Sequence, residues 1–150
     1  MASWRDVEAA SPHIAAEGRR LLYVTGEGKA FLATVRGDGP LRIHPITVGL
    51  VDGGLYAFIN TSPKQGDLRA DGRFALHTYH DPGHPAELAL RGHARHVSDP
   101  SEREPIEADW PFEPDATYDL FEFELDSAVL GERTADEWPP RYTRWTAPAS

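Results

Sequence analysis

The sequence predicts a mainly β fold, a six-stranded antiparallel β-barrel with peripheral helices, built as one domain over residues 1–150. Three observations carry this. Apolar runs of strand character recur with tight Gly/Asp connections, as in KAFLATVR-GDGP-LRIHPITVGL-VDGG-LYAFI from Lys29 to Ile59. Helical patterns are confined to the N-terminal segment and two brief inserts. The length suits one core and is short for two ordinary domains.

The elements follow in order. SWRDVEAASPHIAAEGRRLLYV reads as two short helices over about 3–22, the second capped by Ser11 with Pro12 in its first position; Ile14, Ala15, Leu21 and Leu22 share a face. The barrel occupies about 29–130. Its strands are expected at Lys29–Arg36, Leu41–Leu50, Leu55–Ile59, Phe74–Tyr79 and Glu87–Val97, with a cleanly alternating last strand from Tyr118. Gly92 marks a bulge or bend in the fifth strand. Pro45, inside the second, belongs at an edge, at a bulge or beside a ligand. SDPSEREPIEA forms another capped helix, and a Trp-rich tail fills 131–150.

Composition sets limits on function. A hydrophobic share of 40% and a charged share of 26% are ordinary for a globular domain. The absence of cysteine excludes disulfides, thiolate metal sites and a cysteine nucleophile. No apolar run reaches membrane-spanning length and the N-terminus has no signal-peptide core, so the expectation is a cytoplasmic protein without a membrane partner. The net charge of −9 argues against nucleic acid, which needs a basic face. It leaves room for a small anion in a local basic pocket, because eight acidic residues against one arginine lie between Asp99 and Asp119.

The informative stretch is NTSPKQGDLRADGRFALH, Asn60 to His77. Ser62 and Pro63 read as N-cap and first residue of a short helix. Lys64 follows where the helix dipole already supplies positive charge. Three readings compete: a solvated surface lysine, an ion pair with Asp67 or another local carboxylate, and an anion site. In the third, Ser62, free backbone N–H groups, the dipole and Lys64 converge on a phosphate. Charge-assisted hydrogen bonds of about 1.5–3 kcal/mol each favour it wherever a phosphate is present.

The order LATVRGDG, RIHP, GGLYAF, SPK and DLRADGRFAL resembles the pyridoxamine 5′-phosphate oxidase-like, FMN-binding split-barrel family, over about Phe31 to Asp99. The resemblance implies a split barrel forming a homodimer, with FMN at the subunit interface and hydride transfer to or from a small-molecule substrate. Carried onto this chain, it places the phosphate on Ser62 and Lys64, with Arg42 or His44 as a further basic contact, and Arg69 is a further cofactor-binding candidate. The ring system lies along His44, Pro45, Ile46, Thr47 and Val48. Two departures stand out. Pro63 replaces a second basic residue of many members, and EWPPRYTRWTAPAS lacks the Arg-x-His element with which the vitamin-salvage oxidases hold substrate. Trp138, Tyr142, Arg144 and Trp145 stand there instead, as a lid over the partner's flavin or as packing on the barrel. A deazaflavin-dependent reductase, a non-catalytic flavin- or haem-binding module and a cofactor-free interaction protein are the alternatives.

Other patterns carry less. The seven histidines do not form a metal-ligand spacing: His77 and His80 fall on opposite faces of a strand, and His84 sits in a Pro/Gly loop. No metal is expected. No nucleophile motif is present, and flavin chemistry requires none from the protein.

Overall fold

A computed structural model describes residues 1–149. Twelve elements run in the order α1 (Trp4–Ala10), α2 (Pro12–Leu22), β1 (Lys29–Val35), β2 (Leu41–Thr47), β3 (Gly49–Val51), β4 (Gly54–Ile59), α3 (Pro63–Ala70), β5 (Arg73–His77), β6 (Glu87–His96), α4 (Pro100–Ala108), β7 (Asp119–Glu132) and β8 (Arg141–Thr146). The strands form one antiparallel sheet in the order β2-β1-β5-β6-β7-β4-β3, with β8 on β7. The count is eight strands rather than six, and both differences have physical reasons.

The first lies in the extended segment from Leu41 to Val51. It is two strands, β2 at one edge of the sheet and β3 at the other, joined by Val48 alone. One residue cannot span a flat seven-strand sheet, so the sheet must roll until its edges meet. Val48 is the seam: it is buried, and its N–H donates to the carbonyl of Gly28 just before β1. From β3 the chain turns back through Asp52 and Gly53, both at positive φ, the signature of a tight two-residue hairpin turn.

The second difference is at the C-terminus. Strand β7 runs fourteen residues, beyond the expected barrel boundary, and RYTRWT of the tail pairs with its second half as β8. Its alternation is broken. Phe121, Phe123 and Leu125 point into the barrel, as do Ala128 and Leu130, a change of parity. The shift comes where Leu125 pairs Gly92 and Ser127 pairs Arg91, leaving Asp126 as the extra residue. The bulge expected at Gly92 is there, with the inserted residue on the facing strand. One edge of β7 is therefore shared in succession by β4, by Ala2 bridging Leu125, and by β8.

The core fills the inside of the roll. Leu32, Leu55, Leu76, Leu88, Leu90, Phe121 and Phe123 supply it from the strands, and Trp4, Val7, Ile14, Leu21 and Leu22 from α1 and α2. Ser3 and Asp6 form a capping box on α1. Ser11 stands at the N-cap of α2, as expected, without a side-chain cap bond. A smaller cluster lies outside the barrel, where Ile106 of α4 and the following Trp110 cover Val51, Phe58 and Leu120.

Candidate functional site around helix α3

Helix α3 begins as expected. Ser62 is its N-cap, with Oγ accepting from the Gln65 N–H at 3.4 Å and donating to the Asn60 carbonyl at 2.9 Å, and Pro63 opens the first turn. Gln65 ties this turn to the barrel through the carbonyls of Ile59 and Thr117. Lys64 is half-buried, and the burial draws its pKa below the ordinary lysine value. Its hydrogen-bond partner among the described residues is a neutral amide oxygen, Oδ1 of Asn60 at 3.2 Å. The ion pair between Lys64 and Asp67 is not formed.

Asp67 is engaged elsewhere. Its buried carboxylate accepts the Thr34 hydroxyl at 2.8 Å and Nε of Arg42 at 2.9 Å. Thr34 and Arg42 are register partners on β1 and β2, so one carboxylate fastens α3 to two adjacent strands. Lys64 precedes Asp67 by three residues, which puts the two on one face of the helix. Arg42 thus reaches α3 through Asp67 in its second turn, while Ser62 and Lys64 stand in its first.

Arg69 has a different role. It makes a two-point ion pair with the buried Asp119, through Nε and through Nη2 at 2.7 Å, with Nε2 of His96 at 3.6 Å from the same carboxylate. These partners, Arg69 first, hold the Asp119 pKa below the usual carboxylate range.

The predicted ring-binding strand divides by face. Arg42, His44 and Ile46 point inward, while Leu41, Ile43 and Pro45 are exposed on the outer side. Nε2 of His44 is buried with no hydrogen-bond partner among the described residues. Pro45 lies on an edge strand opposite Phe31, the setting that tolerates a missing N–H. Thr47 accepts from Nζ of Lys29 at 3.0 Å, and Ile46 and Val48 contribute their side chains to the core. In the tail, Trp145 packs into the core, whereas Trp138 is 78% exposed with Arg133 over its ring.

Sequence reasoning missed Thr34, and it considered Asp67 only as a partner for Lys64, not for Thr34 and Arg42. A signal for Thr34 exists, since it follows Ala30 and Leu32 in the inward phase of β1 and needs an internal partner. Asp67 gives no signal for its contact with β1 and β2: in a short polar helix it reads as solvated or as paired with a local cation. Among the described residues, no three His, Asp or Glu side chains converge as metal ligands, and no helix is long and apolar enough to cross a membrane.

This architecture is the split barrel of the pyridoxamine 5′-phosphate oxidase-like proteins. PhzG from Burkholderia lata, solved with tetrahydrophenazine-1-carboxylic acid, superposes with a TM-score of 0.67 over 94% of this chain and 91% of its own, at 16% identity. A protein of the pyridoxinephosphate oxidase family from Clostridium acetobutylicum, related to general stress protein 26, matches at 0.62 over 87% and 92%, at 18% identity. A haem-binding protein from Mycobacterium smegmatis matches at 0.59 over 82% of this chain, which spans 55% of that protein, at 15% identity. No protein-family model and no curated protein matches the sequence.

Proposed function

We propose that the protein is an FMN-binding oxidoreductase that works as a homodimer, with its cofactor at the subunit interface. The observation that carries this reading is Lys64. A half-buried ammonium at a helix N-terminus, with an amide oxygen as partner, supports a cation held for an anion. Ser62, Lys64 and Arg42 would hold the phosphate, and the segment from His44 to Val48 would line the ring system. Bound flavin supplies hydride acceptance and donation, while the chain binds and orients it and keeps water away.

The dimer reading rests on the sheet's outer face. Across β2, β1, β5, β6 and β7 it carries Leu41, Ile43, Phe31, Ala33, Ala75, Ala89 and Val129, with Leu41 75% and Ile43 71% exposed. Phe31 stacks on Tyr79 at 4.6 Å, and an open cavity of about 220 Å³ lies over the alanines. His77, Glu87 and Arg91 flank it with charge of both signs. A second copy related by a two-fold axis would meet this surface with itself and bury on the order of 2,000 Å² in total.

A second reading, a haem-binding module, draws on the unpartnered Nε2 of His44, an atom able to ligate iron, and on the haem-binding structural neighbour. Absorbance of the purified protein separates the two: a two-band flavin spectrum supports the first reading, and an intense Soret band supports the second. A single deazaflavin band would assign the site to that cofactor. Turnover with a reduced nicotinamide then distinguishes an enzyme from a carrier.

A further inference from the structure

Three arginines around α3 pair with carboxylates, and they do so differently. Arg69 spends Nε and Nη2 on the two oxygens of Asp119, and Arg73 spends the same two nitrogens on Asp71. Arg42 gives Asp67 its Nε alone, and neither of its terminal nitrogens has a hydrogen-bond partner among the described residues. Its planar fork, the part of arginine that matches a phosphate, stays open.

That open fork is held in place. Asp67 is 8% exposed, Thr34 is fully buried, and both the Thr34 hydroxyl and Arg42 Nε donate to the same carboxylate oxygen. The carboxylate cannot turn toward another partner without giving up both bonds in a site closed to water. Lys64, one turn earlier on the same helix face, brings the second cation.

We infer that Asp67 is a positioning residue: with Thr34 it clamps Arg42 by Nε, so that the open guanidinium fork is presented beside Lys64 to the phosphate group of a bound ligand. The inference rests on the anion reading of α3 given above. It also makes a prediction about sign. If Asp67 only neutralised Arg42, removing its charge would strengthen phosphate binding; if it positions Arg42, removing its charge weakens binding.

The test uses the full chain and two probes. The first is inorganic phosphate against chloride at equal ionic strength, read as the melting temperature. Wild type should be stabilised more by phosphate, Asp67→Asn should lose most of that difference, and Thr34→Val should lose part of it. Thr34→Val also serves should Asp67→Asn fold poorly. The second probe is FMN against riboflavin, titrated by flavin fluorescence. Asp67→Asn should bind FMN about tenfold more weakly, the loss of one charge-assisted contact, and riboflavin equally well. In an Arg42→Lys background, where the fork is gone, Asp67→Asn should have no further effect on FMN, which a merely structural role would not produce. Equal stabilisation of wild type by phosphate and chloride overturns the inference. So does an Asp67→Asn protein that responds to phosphate as strongly as wild type or more so. Phosphate-specific stabilisation without any FMN binding would defeat the flavin reading and leave the clamp standing.

Discussion

The outer face of the sheet has two halves, and they solve the same problem differently. Over β3, β4 and the start of β7, the outward side chains Val51, Phe58 and Leu120 are buried by Ile106 of α4 and by Trp110. The indole of Trp110 lies so close to Gly49 that any side chain there would strike it, and it meets the Phe58 ring edge-on at 4.9 Å. Over β2, β1, β5, β6 and the end of β7, the outward residues include Leu41, Ile43, Phe31, Ala33, Ala75, Ala89 and Val129, and no helix among the described residues covers them. The division falls at the Asp126 bulge, where β7 changes parity. One half is completed by the chain itself, and the other is a surface of the kind monomers rarely leave open. The contrast locates the proposed subunit contact on the half that has no cover of its own.

The largest expected effect comes from uncovering the closed half. Trp110→Ala should cost about 3–5 kcal/mol of folding stability in chemical denaturation, because the indole leaves a cavity over Gly49 and Phe58. The protein that remains folded should keep its oligomeric state. A cost under about 1 kcal/mol would mean that α4 and Trp110 rest on the sheet without completing it.

The converse change is on the open half. Ile43→Glu removes little packing within one chain, so subunit stability should move by no more than about 0.5 kcal/mol. Dimerisation should weaken by about 2 kcal/mol or more, since the charge enters the apolar centre from both copies. Sedimentation across a concentration series reads this directly. An unchanged association constant would place the contact elsewhere.

A smaller effect separates fold from ligand at α3. Ser62→Ala should lower stability by about 1 kcal/mol through the lost cap and also weaken FMN. Measured together by thermal unfolding and flavin titration, a loss of stability with unchanged FMN binding would confine Ser62 to capping.

The smallest effect is in acid, at the border of the covered half, where Asp119 opens β7 beside Leu120. Its folded pKa is depressed by Arg69, so its contribution is present above the unfolded carboxylate value of about 3.9. That contribution is lost as pH falls through the folded value. Melting temperature against pH should therefore fall more steeply below about pH 4 for wild type than for Asp119→Asn. Parallel curves would show that the Arg69 pair contributes no net stability.

Local signals in the sequence are legible where their cause is local. Ser62 capping, the Asp52-Gly53 turn and the bend at Gly92 follow from backbone chemistry at the residue itself, and Pro45 takes the edge, one of the three settings its missing N–H allows. What escaped depends on partners distant in sequence. A period of two says that Leu41–Leu50 is extended, but not that Val48 carries the chain from one sheet edge to the other. RYTRWT buries Trp145 alone, so its strand character comes from pairing with β7 rather than from its own pattern. The same holds at the site. Lys64 drew attention through its helix position, while Asp67 and Thr34 matter through a contact across 33 residues.

The most direct test of the account is a paired titration of FMN and riboflavin into wild type and Lys64→Ala. Wild type should bind FMN more tightly than riboflavin, and Lys64→Ala should lose roughly ten- to a hundred-fold in FMN affinity, the value of one charge-assisted phosphate contact. Riboflavin affinity and the stability of the unliganded protein should stay unchanged, because removing a cation from a helix N-terminus relieves a slight repulsion. Equal losses for both flavins, or no loss for either, would contradict it and leave Lys64 an ordinary surface residue.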